Sequence, residues 1–370
     1  MMDQITNTQA QQIIEARHAL HALAERSGQE LRTRAYLRDF LRSHTGLRVE
    51  DRGIWLYAVH DEGAERTVVV RADHDAVPTP EGACHLCGHD GHSAALLGLG
   101  LLLEGRTLGR NVILLFQPGE ETGEGAPECC ALFELEGLNR DNARIIGCHN
   151  IPGEPLGTVL LRRGAFACAS CGAEIELSGS PTHAAYPENG VNPTEAAALL
   201  ALELPALAAR TGAEQGCMAL ATLVGLRTGE RAFGVAASHG WVWATLRAER
   251  AAAFRLLNER VDEAVRRIAG DRGLEYAIRR TEQFPATEND DAVLEALEAC
   301  CRREGLAWRW LDRPFRWSED FGHYGSHIPA CFFGVGAGPD TPPLHTAAYE
   351  YPDALAPRSA ALFLRFVCAL

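Results

Sequence analysis

Over roughly the first 45 residues, the apolar positions Ile13, Ile14, Ala16, Leu20 and Leu23 recur at three-to-four spacing, which predicts helix. From Ile54 to Val77 the pattern changes to the strand-like runs IWLYAVH and TVVVRADHDAV. A helix is expected from about His92 to Leu103. NVILLFQPGEE then reads as a buried strand ending at Pro118, and ARIIGCHN as a second one. Strands alternating with helices define an α/β domain, and in such sheets ligands lie beyond the carboxyl ends of the strands. Each strand here runs into residues able to bind a ligand: Asp73 and Asp75, Glu120 and Glu121, and His149, placed one residue past its strand.

The middle of the chain has another order. GAEIELSG predicts a strand. Asn192 caps a helix that runs to about Ala208, with Pro193 at its first position. MALATLVGLRTG and GWVWATLRAE are two more strands. A helix over about 251–269 places Phe254, Leu257, Val261, Ala264, Val265 and Ile268 on one face, and LEYAIRRTEQF closes the set. The order βαββαβ is ferredoxin-like. After it come a helix in DDAVLEALEACCRREG, a strand in CFFGVG and a final helix in PRSAALFLRFVCAL. Because chemistry-bearing residues flank the βαββαβ segment, the expected organisation is an α/β catalytic domain (1–167 and 283–370) interrupted by a smaller inserted α+β domain (168–282).

A length of 370 residues agrees with two domains. The net charge of −14 and the lack of a basic block argue against nucleic acid or an anionic membrane as partner. All 35 basic residues are Arg, which excludes lysine Schiff bases and a Walker-type phosphate lysine. The start MMDQITNTQAQQIIEARHAL lacks a basic region followed by an apolar run, and AALLGLGLLL is too short to span a bilayer. A cytoplasmic protein is expected, its twelve cysteines reduced and used for packing or metal binding.

Four clusters carry candidate chemistry. Cys87 and His89, within CGHDGH, are zinc-type ligands two residues apart, expected on a loop before the apolar helix. Glu120 and Glu121 are adjacent carboxylates whose joint burial requires a cation or a shared proton. His149 and His345 are single histidines, the latter in PPLHTAAYEYP. A lone histidine at a strand end is more often a hydrogen-bonded structural residue; convergence on one domain's strand ends is what points to a site. Pairing Cys84/Cys87 with Cys168/Cys171 would give a four-cysteine structural zinc, but these pairs are too far apart for a zinc ribbon.

The motifs RADHDAVP, CGHDGH, VILLFQPGEETGEGA, GCHNIPGEPLG, GSPTHAAYP, SEDF and PLHTAAYEYP, in this order, resemble the M20 metallopeptidase/amidohydrolase family, in particular its hippurate-hydrolase and auxin-conjugate-hydrolase branch. The resemblance implies a zinc-exopeptidase-like catalytic domain with a mixed sheet, two divalent ions, zinc or manganese, and a lid domain through which a homodimer forms. It implies Cys87, His89, Glu121, His149 and His345 as metal ligands, Glu120 as general base, His183 in the lid as a transition-state partner, and Asp75 as an orienting residue. The sequence departs from the family at Gly234, where this branch commonly has Asn, at His74, where Met or Leu is usual, and at Glu188, where His is frequent.

The implied reaction is hydrolysis of the amide bond of an N-acyl amino acid. Glu120 takes a proton from a metal-activated water and returns it to the leaving amine. Arg231 and Arg247 are candidates to clamp the substrate carboxylate. A dipeptidase or carboxypeptidase with the same centre is the alternative, and a non-catalytic binding protein that keeps the fold is the rival from another class.

Overall fold

Four runs of nearly unbroken apolar character become neighbouring parallel strands, in spatial order Asn111–Gln117, Thr67–Asp73, Ala143–Pro152 and Ala330–Gly338. Strands covered on both faces need no polar alternation, and every residue of Thr67–Asp73 is buried. These assignments come from a computed structural model that describes residues 5–80 and 82–370. Two compact units result. The first holds residues up to Phe166 with Thr287–Pro314 and Asp320–Leu370; the second holds Ala167–Ala286 and Phe315–Glu319.

The sheet of the first unit has eight strands and is mixed. Arg48–Asp51 and Leu56–His60 extend it antiparallel on one side. On the other side Val159–Leu161 pairs antiparallel with Ala330–Gly338 and parallel with Trp308–Trp310. The chain leaves Thr67–Asp73, passes through the helix His89–Leu103, adds Asn111–Gln117 on one side and then Ala143–Pro152 on the other. This reversal is a topological switch point, where open α/β sheets bind ligands. The helix His89–Leu103 is buried throughout, which explains its unbroken apolar sequence. Close approach is built in at Gly98, where a Cβ would lie 2.6 Å from Ile13 Cδ1 and 2.8 Å from Ala360 Cβ.

Three local expectations need correction. The N-terminal helix is two helices, Asn7–Leu23 and Leu31–His44. Gly28, at φ +76, turns the chain between them, and the Glu25 carboxylate caps the second by accepting from Arg32 N and Thr33 N, each at 2.9 Å. The apolar helix begins at His89, so His89 and His92 stand in its first turns while Cys87 precedes it. The strand Ala143–Pro152 continues past His149, because its parallel partner Ala330–Gly338 keeps pairing with it, Gly334 opposite His149.

The second unit is a four-stranded antiparallel sheet in the order Ala219–Thr228, His239–Ala248, Ala169–Ser178, Glu275–Phe284, with helices Thr194–Gln215 and Ala251–Gly270. This is the ferredoxin-like connection order. Leu257, Val261, Ala264, Val265 and Ile268 are buried in its core. Thr194–Gln215 has the length and hydropathy of a membrane span, yet Ala196, Ala197, Leu200, Leu204, Leu207 and Ala208 are buried in the same core. It is a core helix.

Candidate metal centre

The carboxyl ends of the parallel strands gather five of the expected ligands in two overlapping sets. Donor atoms of Cys87, His89 and His149 lie within 4.8 Å of one another, and so do those of Cys87, Glu121 and His345. Cys87 belongs to both sets. Glu120 joins through a third set, His89, Glu120 and Glu121. Cys168 and Cys171 belong to no such group among the described residues, so the four-cysteine alternative has no counterpart there.

Each imidazole is oriented by what holds its other nitrogen. His89 Nδ1 donates to the Asp75 carboxylate at 3.0 Å and to the Asp75 carbonyl at 3.1 Å, which leaves Nε2 as the lone-pair nitrogen. That Nε2 is buried with no hydrogen-bond partner. It lies 3.9 Å from Glu120 Oε2 and 4.0 Å from Glu121 Oε1. His149 Nδ1 donates to the Asn150 carbonyl at 2.9 Å, and its Nε2 lies 3.4 Å from Cys87 Sγ. His345 Nε2 lies 3.3 Å from Glu121 Oε1. The backbone of His345 is in the left-handed region, φ +60, and is tied down by its N–H to the Leu86 carbonyl at 2.8 Å. A non-glycine residue held there marks a constraint set by the surroundings.

Leaving the buried His89 Nε2 unpaired costs about 1–3 kcal/mol. A divalent cation at that nitrogen removes the cost. A thiolate, three imidazoles and carboxylates form a donor set suited to zinc and similar ions. The residues therefore fit a metal centre. Without a cation the charges compensate one another: His345 is pushed up to about 10 by its hydrogen bonds to Cys87 and Glu121. Burial would lower His89, yet the charges of Asp73 and Cys87 and the bond to Asp75 raise it. Burial raises the Cys87 thiol and lowers His149.

Asp75 has the place expected of an orienting residue. Besides His89 it accepts from Ser27 Oγ at 2.7 Å and from the backbone N–H of Glu121 at 3.0 Å. Burial opposes its charge, but the bonds from His89, Ser27 and Glu121 hold it down at about 2.

Beneath these residues runs a buried polar chain that the sequence reading missed. Asp320 pairs with Arg71 at 2.8 Å, Arg71 with Asp73 at 2.7 Å, Asp73 with His92 at 2.6 Å, His92 with Asn150 at 2.6 Å and Asn150 with Tyr349 Oη at 2.6 Å. The glycines of CGHDGH have a steric reason. A Cβ on Gly88 would lie 2.5 Å from Asn150 Oδ1 and 2.6 Å from Tyr349 Oη; one on Gly91 would lie 2.3 Å from the Tyr351 ring. The motifs CGHDGH and AAYEYP thus constrain each other. The visible signal was Arg71 itself, a charge inside an apolar run, which demands buried partners.

The remaining expected residues lie in the second unit. His183 is exposed on a two-residue strand paired with Val235–Ala236; its Nδ1 accepts from Ala185 N at 3.0 Å. Gly234 holds this turn through its carbonyl, which accepts from Ala184 N at 3.0 Å, and open space surrounds its Cβ position. Arg231 is exposed in the same turn region. Arg247 is differently engaged: it donates to the Arg316 carbonyl and to Ser318 Oγ, at 2.5 and 2.6 Å, and so fastens the segment 315–319 to the second unit. Its Nη1 is committed to the chain itself.

A mixed α/β sheet with this donor set at its switch point suits a metal-dependent hydrolase. The chain belongs to Peptidase family M20/M25/M40, whose model matches residues 69–368. It is 28 % identical over 351 residues to N-acetyl-L-cysteine deacetylase of Bacillus subtilis, covering 90 % of this chain and 82 % of that protein. It is 27 % identical over 317 residues to hippurate hydrolase of Campylobacter jejuni, covering 82 % and 81 %. Among solved structures, a dinuclear metal-binding peptidase of the M20 family from Bacillus subtilis has the same fold, with a TM-score of 0.83, 23 % identity and 98 % of each chain covered.

Proposed function

We propose that this chain hydrolyses the amide bond of an N-acyl amino acid. The observation that carries the reading is the pair of ligand sets sharing Cys87, with Glu120 beside them and the unpartnered Nε2 of His89 4.0 Å from Glu121 Oε1. Cys87, His89 and His149 would hold one divalent ion, and Cys87, Glu121 and His345 a second; zinc or manganese suits the donors. When bound, the ions supply Lewis acidity to the attacking water and the scissile carbonyl. Glu120 takes a proton from the water and passes it to the leaving nitrogen as the C–N bond breaks, so atoms and charge balance. Asp75 holds the His89 tautomer, and His183 meets the oxyanion as a hydrogen-bond donor.

The second unit serves in this reading as a lid and as the contact of a homodimer. Its edge strand Ala219–Thr228 presents Leu220, Leu223, Val224 and Leu226 to solvent, with Val224 70 % exposed. An exposed apolar edge suits pairing with a second copy. All twelve cysteines are free, which accords with a reducing, cytoplasmic setting.

The preference for acyl amino acids over dipeptides rests on the relatives' named activities. The test is a panel of N-acetyl and N-benzoyl amino acids beside dipeptides, assayed on metal-free protein reloaded with zinc, manganese or cobalt. Turnover of acyl amino acids that requires a metal is the expected result; turnover confined to dipeptides, or full activity without metal, would overturn it.

A further inference from the structure

The two carboxylates of the catalytic turn stand on a short structure that other groups must hold in place. Glu120–Thr122 is a single 3-10 turn preceded by Gly119 at φ +63, and the Gly119 carbonyl already accepts from Gly125 N at 3.2 Å. Two further carboxylates hold its backbone from below. Asp75 accepts from Glu121 N at 3.0 Å, and Glu30 accepts from Gly119 N at 2.9 Å. Asp75 lies next to the site in sequence and in space. Glu30 comes from a distant part of the chain, 89 residues before Gly119.

Glu30 has the N-cap position of the helix Leu31–His44, where a side-chain oxygen ordinarily accepts from the helix's first N–H groups. It makes no such bond, and Glu25 caps that helix instead. Glu30 is 4 % exposed. Burial pushes its carboxyl up to about 7, and the charge of Asp75 adds to this, while the N–H groups of Glu30 itself, Gly119 and Gly28 work against it. A carboxyl that is costly to bury and unused by its own helix is spent on the residue preceding the proposed base. The same loop supplies Ser27 to Asp75 at 2.7 Å, so both braces of the turn are set by residues 27–30.

We infer that Glu30 is a positioning residue that fixes the Gly119–Glu121 turn, and through it the aim of Glu120 and the metal-ligating geometry of Glu121. The inference rests on the roles proposed above for those two glutamates. Since Gly119 needs an acceptor oxygen rather than a charge, glutamine at position 30 should serve, whereas a side chain without that reach should not.

The test compares wild type with Glu30→Gln, Glu30→Ala and Glu30→Asp in the full chain. Cobalt(II) affinity is measured by competition with a chromophoric chelator, together with the visible spectrum of the bound ion. The constants kcat and KM are measured at saturating metal, with circular dichroism to establish folding. Glu30→Gln should stay within about 3-fold of wild type in each. Glu30→Ala should lose about 10- to 100-fold in cobalt affinity and a similar factor in kcat, with KM nearly unchanged and an altered cobalt spectrum. Glu30→Asp keeps the charge but is one methylene too short. It should behave like alanine, and it carries the test if the alanine variant does not fold. Wild-type cobalt affinity, spectrum and kcat in a folded Ala or Asp variant would overturn the inference, as would a glutamine variant as impaired as alanine. Should the chain not hydrolyse acyl amino acids, the cobalt measurements still decide on Glu30, so the two failures are separable.

Discussion

Gly91→Ala sets two physical effects against each other. Gly91 lies in the helix His89–Leu103, where replacing glycine by alanine ordinarily favours the helix by about 1 kcal/mol. The added methyl would sit 2.3 to 2.4 Å from three carbons of the Tyr351 ring. Since carbon contacts settle at about 3.5–4.0 Å, the ring must retreat by more than about 1 Å. Tyr351 is 2 % exposed and its hydroxyl is hydrogen-bonded to Ser359, so it has no space to enter. Overpacking of this kind costs about 1–3 kcal/mol and exceeds the helix gain. The variant should be less stable than wild type by about 1 kcal/mol. It should also lose activity by about 10²-fold, because the displaced loop carries His345 and the displaced helix end carries His89. Urea denaturation and kcat at saturating metal measure both. Adding Tyr351→Leu should recover part of the loss, giving a coupling energy of about 0.5–3 kcal/mol in a double-mutant cycle. A Gly91→Ala protein more stable than wild type with unchanged kcat would refute the steric argument.

Glu120→Gln should bind metal normally while its rate falls about 10²–10⁴-fold; Glu121→Gln should instead lower metal affinity, and the opposite pattern, by metal analysis and kinetics, would reverse the two roles. Cys87 should alkylate slowly with metal bound and faster after chelation; mass spectrometry showing equal labelling of Cys87 in both forms would exclude it as a ligand. His74 is buried with neither ring nitrogen hydrogen-bonded, and burial, opposed in part by the charges of Asp75 and Asp73, lowers it to about 4. Its unfolded value is about 6.5, so the folded state binds fewer protons; the neutral ring's contribution is whole above about pH 6.5 and is lost as pH falls to about 4, at most about 3 kcal/mol. His74→Leu should flatten the fall of stability between those pH values in denaturation curves, and an unchanged slope would count against the burial argument.

The candidate ligands stood out because metal chemistry concentrates unusual residue types: Cys87 and His89 in six residues, and an adjacent Glu pair after an apolar strand. The central strands were legible because burial on both faces leaves continuous apolar runs. Partnership over long sequence distances was not legible. Asn150 and Tyr349 are 199 residues apart and Arg71 and Asp320 are 249 apart, and no periodicity joins them. Ser27 and Glu30 were hidden for a different reason: apolar spacing on either side suggested one helix, while the break depends on Gly28 and on the Glu25 cap. The segment 315–319 carries no pattern that assigns it to the second unit; it belongs there partly through one arginine, Arg247.

The strand Ala330–Gly338 lies between Ala143–Pro152 and Val159–Leu161, two strands that emerge from the ribosome far earlier. At roughly 5–20 residues per second, those two strands wait about nine to thirty-seven seconds for the strand that separates them. Through that interval the apolar edge of Ala143–Pro152, with Ile145 and Ile146, has no neighbour on that side, while the βαββαβ segment 169–284 has already been synthesised and can fold. The nascent chain therefore holds a half-built sheet whose open edge can pair with the wrong strand. His345 follows that late strand in sequence, so any chain released before it is made lacks one member of the proposed metal centre.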